Sequence, residues 1–265
     1  MPEGDVVLRT ARRLDAALSG QVLVRGELRW GNLGGIDLAG ATVVETRAVG
    51  KHLLTRLDDG RTVHTHLRMD GTWRVYRTGA ERGADRSARV RVVLGNATWT
   101  CLGYLLGEVD LVRTRDEGLV VGHLGPDVLA PDLDVAAAAA RITAQGVRPI
   151  GEVLLDQRVV AGLGTIYMAE SLWRHRVWPW TPAGDVDATA LVTTTARIMR
   201  RSVESRLPTA TAEARRQTHV HGREGRGCPR CRTPLVRSEV GVPPQQRPVF
   251  WCPTCQARPD APTAD

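Results

Sequence analysis

Lysine is almost absent from this 265-residue chain: of its 36 Lys and Arg residues, Lys51 alone is lysine and the other 35 are arginine. Guanidinium serves at every other cationic position, so the amine at position 51 stands out. A lysine is a compact ammonium that can lose its proton or act as a nucleophile, whereas arginine stays charged on a planar fork. Long apolar runs are missing as well. No stretch of about 18 apolar residues occurs, which excludes an ordinary transmembrane helix. The N-terminal stretch "MPEGDVVLRT" carries an acid pair where a signal peptide needs an apolar run. A soluble, cytoplasmic protein with no membrane association is expected. No internal repeat is visible.

What is present points to a polyanion. The net charge is +7 and the pI is near 9.8, which favours nucleic acid as partner and places anionic membrane well behind it. Residues 141–258 hold 18 Arg against 9 Asp+Glu, a surplus of +9, so the remainder of the chain sums to −2. The basic character lies in the C-terminal part.

Along the chain, Val6, Val7, Ala11, Leu14 and Leu18 fall at helical spacing. Pro2 suits a first helical turn, and Glu3 and Asp5 sit where a helix dipole favours acids. Residues 20–113 change to short alternating runs such as "TVVETRAV", "HLLTRL", "VHTHLRM", "TWRVY" and "ARVRVVL", punctuated by "DDGR", "MDGT" and "LGNAT". These are strand and turn signals of a β-sandwich or barrel. The pattern breaks around "HLGPDVLAPDLD", and "DVAAAAARITAQ" opens a helical region running to about His219. Within it, "EVLLDQRVVAGLGTIYMAESLW" reads as helix, glycine-rich turn, helix, with Thr165 as N-cap of the second helix. Amides at that terminus would suit a phosphate. The tail "RPDAPTAD" is expected to be disordered.

Four of the five cysteines form two pairs, Cys228-Pro-Arg-Cys231 and Cys252-Pro-Thr-Cys255, separated by twenty residues. This spacing suits a four-thiolate zinc ribbon holding one structural ion, since four thiolates leave no open position for a reacting water. Disulfides or a redox pair are the competing readings, disfavoured in a cytosolic protein with two such pairs. Cys101 stands alone and reads as core filler. The segment between the pairs, "VGVPPQQRPVFW", is a hairpin with Arg247 near its tip, suited to gripping a phosphate. His64 and His66 alternate on one strand; a metal pair shares that pattern, but strand packing is the preferred reading.

Taken in order, "MPEGD", "GKHLL", "HLRMDGTW", "LGPDVL", "LLDQRVVAGLGTIY", "GREGRGCPRC" and "RPVFWCPTCQ" resemble the bacterial formamidopyrimidine-DNA glycosylase/endonuclease VIII family along nearly the whole chain. The resemblance implies an α+β multidomain fold. Its parts are an N-terminal catalytic β-sandwich with an N-terminal helix over 1–124, a helix–two-turn–helix domain over 125–219, a zinc finger over 220–257, and a tail over 258–265. It implies a monomer that excises oxidised bases from damaged double-stranded DNA and cuts the backbone by β,δ-elimination.

On the same resemblance, Pro2, freed of Met1, supplies the amine that attacks C1′ and forms a Schiff base. Glu3 is the general acid/base, Lys51 approaches phosphate and sugar from a strand opposite, and Arg247 assists phosphate binding and δ-elimination. Arg68, Met69, His123 and Thr165 fall at DNA-contacting positions; Met69 reads either as the wedge that fills the gap left by a flipped base or, equally, as a core methionine. Acid–base magnitudes favour Pro2 over Lys51 as nucleophile. At pH 7 roughly one α-amine in seven is neutral, against roughly one unperturbed lysine in 2,500. Proline's more basic ring nitrogen erodes part of that advantage.

Departures from the pattern point to the endonuclease VIII-like branch of actinobacterial type, whose usual substrates are oxidised pyrimidines. No Arg-Arg-Phe-Gly stretch appears in "TWTCLGYLLGEV", Gly151 replaces a lysine, and "MPEGD" stands at the start. Separately, Thr165 replaces the family's asparagine; it keeps a capping side chain but leaves the phosphate contact at that position open. A non-catalytic binder of damaged DNA with the same fold is the alternative.

Overall fold

The computed structural model describes residues 2–211, 213 and 216–258. The chain divides into two compact units, Met1–His123 and Leu124–Asp265. Met1 and the tail from 259 on lie outside the described residues, and with them the expected disorder of the tail.

The first unit opens with α1 (Gly4–Leu18), which buries Val7, Ala11, Leu14, Ala17 and Leu18 on one face, the stripe the apolar spacing predicted. Eight strands come next: β1 (Arg25–Leu28), β2 (Val43–Val49), β3 (His52–Leu57), β4 (Arg61–His66), β5 (Thr72–Arg77), β6 (Val90–Gly95), β7 (Trp99–Tyr104) and β8 (Glu108–Arg113). They form two four-stranded antiparallel sheets, ordered β1-β6-β7-β5 and β2-β3-β4-β8. Leu53, Leu57, Val63, Trp73, Val92, Leu94 and Val109 from both sheets pack with Val7, Leu14 and Leu18 of α1 into one core. Cys101 is part of it, fully buried, and burial pushes its thiol up to about 12. The filler reading of that cysteine therefore holds.

The one-turn helix α2 (Gly118–Val121) closes the first unit, and the helices of the second unit begin with α3 (Val135–Thr143). α3 is capped by Asp134, whose side chain accepts from the Ala137 N–H. α4 (Ile150–Val153) is a single turn, α5 (Thr165–Arg174) comes after the "AGLG" turn, and α6 (Ala188–Glu204) is capped by Asp187. β9 (Val236–Val240) and β10 (Arg247–Trp251) make the hairpin between the cysteine pairs.

Two sequence expectations need correction here. The helix read into "EVLLDQRVV" ends at Val153 because side chains take over the backbone's partners. The Asp156 carboxylate accepts from the Arg158 N–H, and Gln157 donates to the Leu155 and Leu163 carbonyls while accepting from the Gly162 N–H. Such local bonds compete with the helical ladder. Thr165 is the first residue of α5 and not its cap; Gly164 occupies the cap with extended backbone.

The second unit is pinned by a buried carboxylate. Glu170 on α5 is wholly inaccessible, and its Oε1 accepts from the backbone N–H groups of His219, Val220 and His221 at 2.8, 2.8 and 3.1 Å. Its Oε2 lies 3.0 Å from His219 Nδ1. Burial raises the Glu170 pKa, but His219 and the three amides outweigh it and hold the group below the usual carboxylate range. A depressed carboxylate contributes stability above its unfolded value, about 4.3, and loses it as pH falls toward the folded one. Glu170→Gln keeps an oxygen for the amides but removes the charge. We expect it to cost about 1–3 kcal/mol at pH 7 and to flatten the acid side of the stability profile, read by urea unfolding across pH 3–7. An unchanged slope below pH 5 would contradict this role.

Candidate active site and metal centre

Glu3 ends α1 with extended backbone, φ −107° and ψ −179°, while its carbonyl accepts from the Val7 N–H at 3.1 Å. Its side chain makes no cap bond to the first turn and is 1 % exposed. A carboxylate is thus held inside the protein at the positive end of a helix, where an anion is favoured. Pro2 precedes this cap, half-buried. It stands outside the helix and not in its first turn, as the sequence had suggested, because the extended Glu3 stops the helical backbone at Gly4.

Lys51 lies in a turn, not on a strand. Val49 pairs with His52 across β2 and β3, so Gly50 and Lys51 are the whole connection. Gly50 has φ 58°, the positive value that glycine supplies at the first central position of a tight hairpin turn. α1 packs across β2, so the hairpin bearing Lys51 and the helix bearing Glu3 belong to one packed element pair. The Lys51 ammonium is near enough to His66 to help lower its pKa.

The "HLRMDG" loop leaves the end of β4. Met69 is 64 % exposed, which removes the core reading of this methionine. Arg68 has φ 53°, a left-handed conformation that costs about 1–3 kcal/mol in a non-glycine residue. Three contacts hold it there. Its N–H donates to His66 Nδ1 at 2.9 Å, its guanidinium pairs with Glu108, and its side chain lies over Gly107, where a Cβ would collide with it.

Next to this loop is a histidine group that the sequence suggested only in part. His52, His66 and Glu108 lie opposite one another across β3, β4 and β8; Leu54, His64 and Asp110 form the neighbouring row. His52 Nδ1 lies 2.8 Å from His64 Nε2, and His64 Nδ1 lies 2.9 Å from Asp110 Oδ2. The His123 ring meets that of His52 edge-on at 6.0 Å. Burial, then the neighbouring His66, His64, His123 and Arg68, pushes His52 down to about 3. Burial, then Arg68, His64 and Lys51, pushes His66 down to about 4. Burial also lowers His64 against the opposing pull of Asp110. His52 was missed because a histidine beside "GK" on a strand looks ordinary until the strand register is known.

In the second unit, Thr165 Oγ1 lies 3.3 Å from His221 Nε2, and the His221 ring meets Phe250 of β10 edge-on at 5.0 Å. The start of α5, the connector fixed by Glu170, and the hairpin are thereby joined. Arg247, exposed at the start of β10, lines a recess of about 470 Å³ with Arg148, Asp156, Gln157 and Arg158. Gly151 explains the loss of the lysine expected at its position. A Cβ there would lie 3.0 Å from the Pro179 carbonyl oxygen and 3.2 Å from Val240, so the position is used for packing against the hairpin.

Cys228, Cys231, Cys252 and Cys255 converge with their sulfur atoms all within 4.8 Å of one another. Cys228 and Cys255 are 3.9 Å apart, and Cys231 and Cys252 are 3.4 Å apart. Tetrahedral zinc–thiolate geometry puts sulfurs about 3.8 Å from each other, so the four fit such an ion. The Trp173 indole N–H donates to Cys228 Sγ at 3.5 Å, a supporting bond of the kind that orients metal ligands. Hydrogen bonding to Thr233 lowers the Cys231 thiol to about 6.

Comparison with known proteins agrees with both units. Residues 1–102 match the formamidopyrimidine-DNA glycosylase N-terminal domain, and residues 124–213 match the formamidopyrimidine-DNA glycosylase H2TH domain. A Streptomyces coelicolor protein named "Probable endonuclease 8 2" is 43 % identical over 98 % of this chain and 95 % of its own length. The Mycolicibacterium smegmatis protein named "DNA-(apurinic or apyrimidinic site) lyase Nei2" is 37 % identical over 97 % of this chain and 99 % of its own. The fold matches a crystal structure of Lactococcus lactis formamidopyrimidine-DNA glycosylase bound non-covalently to AP-site DNA, with a TM-score of 0.78 at 22 % identity, covering 97 % of this chain and 100 % of that one. Motifs, fold and full-length relatives converge: the chain belongs to the formamidopyrimidine-DNA glycosylase/endonuclease VIII family, on its endonuclease VIII-like side.

Proposed function

We propose that this protein is a bifunctional DNA glycosylase and AP lyase of base excision repair, a monomer acting on damaged duplex DNA, with oxidised pyrimidines as its substrates. The observation that carries the reading is the buried Glu3 carboxylate beside Pro2 at the start of α1, in a chain whose full-length relatives are named for endonuclease 8 and AP-lyase activity.

In this reading Met1 is removed, because an acylated Pro2 nitrogen has no lone pair to donate. The freed secondary amine attacks C1′ as the glycosidic bond breaks. Glu3 protonates the ring oxygen, the sugar opens, and an iminium joins Pro2 to the DNA. Proton removal from C2′ expels the 3′ phosphate, a second elimination expels the 5′ phosphate, and water releases the enzyme. Lys51, at the tip of its two-residue turn, steadies phosphate and sugar during these eliminations. Met69 and Arg68 fill the space left by the flipped nucleotide, and His123 meets the backbone. In the second unit Thr165 and Arg247 take phosphates. We divide that unit by role near residue 219, with the helical part before it and a zinc finger over 220–257, in which one structural zinc ion holds the Arg247 hairpin.

Borohydride reduction in the presence of AP-site DNA tests this reading. Protein with a processed N-terminus should give a covalent complex, and Pro2→Gly or a retained extension should abolish it. No trapped species from the processed protein would leave the non-catalytic binder standing. Glu3→Gln should slow base excision by about 10²–10⁴-fold, the range of a positioned acid–base group. If only positive charge matters at position 51, Lys51→Arg should cut AP-site DNA normally; we expect incision to fall with the melting temperature unchanged. Stripping zinc with a strong chelator should release one equivalent per chain, change Trp173 fluorescence and weaken DNA binding. Full DNA affinity in the zinc-free protein would remove the ion from the binding surface.

A further inference from the structure

We propose that His52, His64 and Glu108 form a second metal site, for a divalent transition ion such as zinc, distinct from the four-cysteine centre. Ligand atoms of the three residues all lie within 4.8 Å of one another. They come from three adjacent strands held in fixed register: His52 on β3, His64 on β4 and Glu108 on β8. All three project from the face of the sheet turned away from the sandwich core, because they alternate along their strands with the core residues Leu53, Val63 and Val109.

The nitrogen geometry suits an ion. Two imidazole nitrogens on one zinc lie about 2.9–3.3 Å apart for angles between square and tetrahedral. His52 Nδ1 and His64 Nε2 are 2.8 Å apart, so a shift of a few tenths of an ångström, with the His52 proton moved from Nδ1 to Nε2, admits a metal between the two nitrogens. The His64 tautomer is already set. His64 donates its Nδ1 hydrogen to Asp110 Oδ2 at 2.9 Å, which leaves Nε2 with a lone pair aimed at the site. A carboxylate behind a ligating histidine is the usual outer support of metal-bound imidazole. Neutral imidazole is the form that binds metal, and both rings sit in fixed positions on adjacent paired strands. Two imidazoles and a carboxylate favour zinc, nickel, cobalt or copper over magnesium or calcium.

Arg68 is the competitor, since its guanidinium pairs with Glu108 Oε1. Metal binding therefore recruits the second carboxylate oxygen or displaces Arg68. Displacement would free one of the contacts that hold the loop preceding Met69. Occupancy of the site is in this way linked to the loop through Glu108, and nothing in the link depends on the catalytic reading.

The test is metal counting on the full-length protein that already carries its ribbon zinc. At micromolar free zinc, equilibrium dialysis with elemental analysis should find a second equivalent per chain, absent in His64→Gln. Asp110→Asn, at a half-exposed position outside the ligand set, should leave the fold intact and weaken uptake about 10–100-fold. Cobalt added to the zinc-ribbon form should give weak visible bands without thiolate charge transfer. Uptake that stops at one equivalent, or a second equivalent that survives unchanged in both variants, would overturn the proposal.

Discussion

Glu170 is the interaction on which the second unit depends. Three consecutive backbone amides, those of His219, Val220 and His221, converge on one buried oxygen. A carboxylate is the side chain suited to this, because charge-assisted bonds are about twice as strong as neutral ones and burial makes an unpaired group costly. The consequence is positional. His221 is fixed between Thr165 at the start of α5 and Phe250 in β10, and Trp173, one turn of α5 beyond Glu170, stacks on His219 while donating to Cys228. Helix terminus, hairpin and the cysteine cluster are all referred to one carboxylate.

The same logic explains why the basic surplus of the C-terminal part is not a featureless cloud. Arg230 stacks over the Trp173 ring at 4.0 Å and donates to the Trp173 and Arg174 carbonyls, satisfying the end of α5. Arg174 in turn donates to the Ala210 carbonyl. These guanidiniums are structural, using the planar fork that a lysine lacks. Arg247, which is exposed, is a different kind of arginine, and the sequence alone does not separate the two.

Much of this architecture is legible in the sequence. The apolar stripe of α1, the alternating runs of β2 to β6 and the paired cysteines carry periods or spacings that tertiary context cannot easily override. Three features are not legible there, each for a physical reason. The α4 helix is cut short because Asp156 and Gln157 satisfy backbone groups locally, and the residues that do so are compatible with a helix in composition. Thr165 and Gly164 are both acceptable caps, so only backbone geometry decides between them. The histidine group depends on which residues face each other across β3, β4 and β8, information that resides in the pairing and in no single segment.

That pairing also explains how so many chemically active groups come to share one end of one sheet. Lys51 immediately precedes His52; His52 lies opposite His66; His66 lies opposite Glu108, and Arg68 and Met69 come two and three residues after His66. A slip of one residue in β3 or β4 would send the histidines into the core and the leucines out, which the burial of Leu53, Leu57 and Val63 forbids. The hydrophobic core therefore sets the register, and the register sets the positions of the ammonium, the imidazoles and the exposed methionine. The two-residue turn at Gly50 leaves no slack between β2 and β3, so the reach of Lys51 is decided by its side chain alone. A slim ammonium with rotatable donors can follow a phosphate or sugar as bonds rearrange, whereas a planar guanidinium commits to one orientation. In a chain that uses arginine everywhere else, that difference is, on the function proposed above, a physical reason for the one lysine to stand where it does.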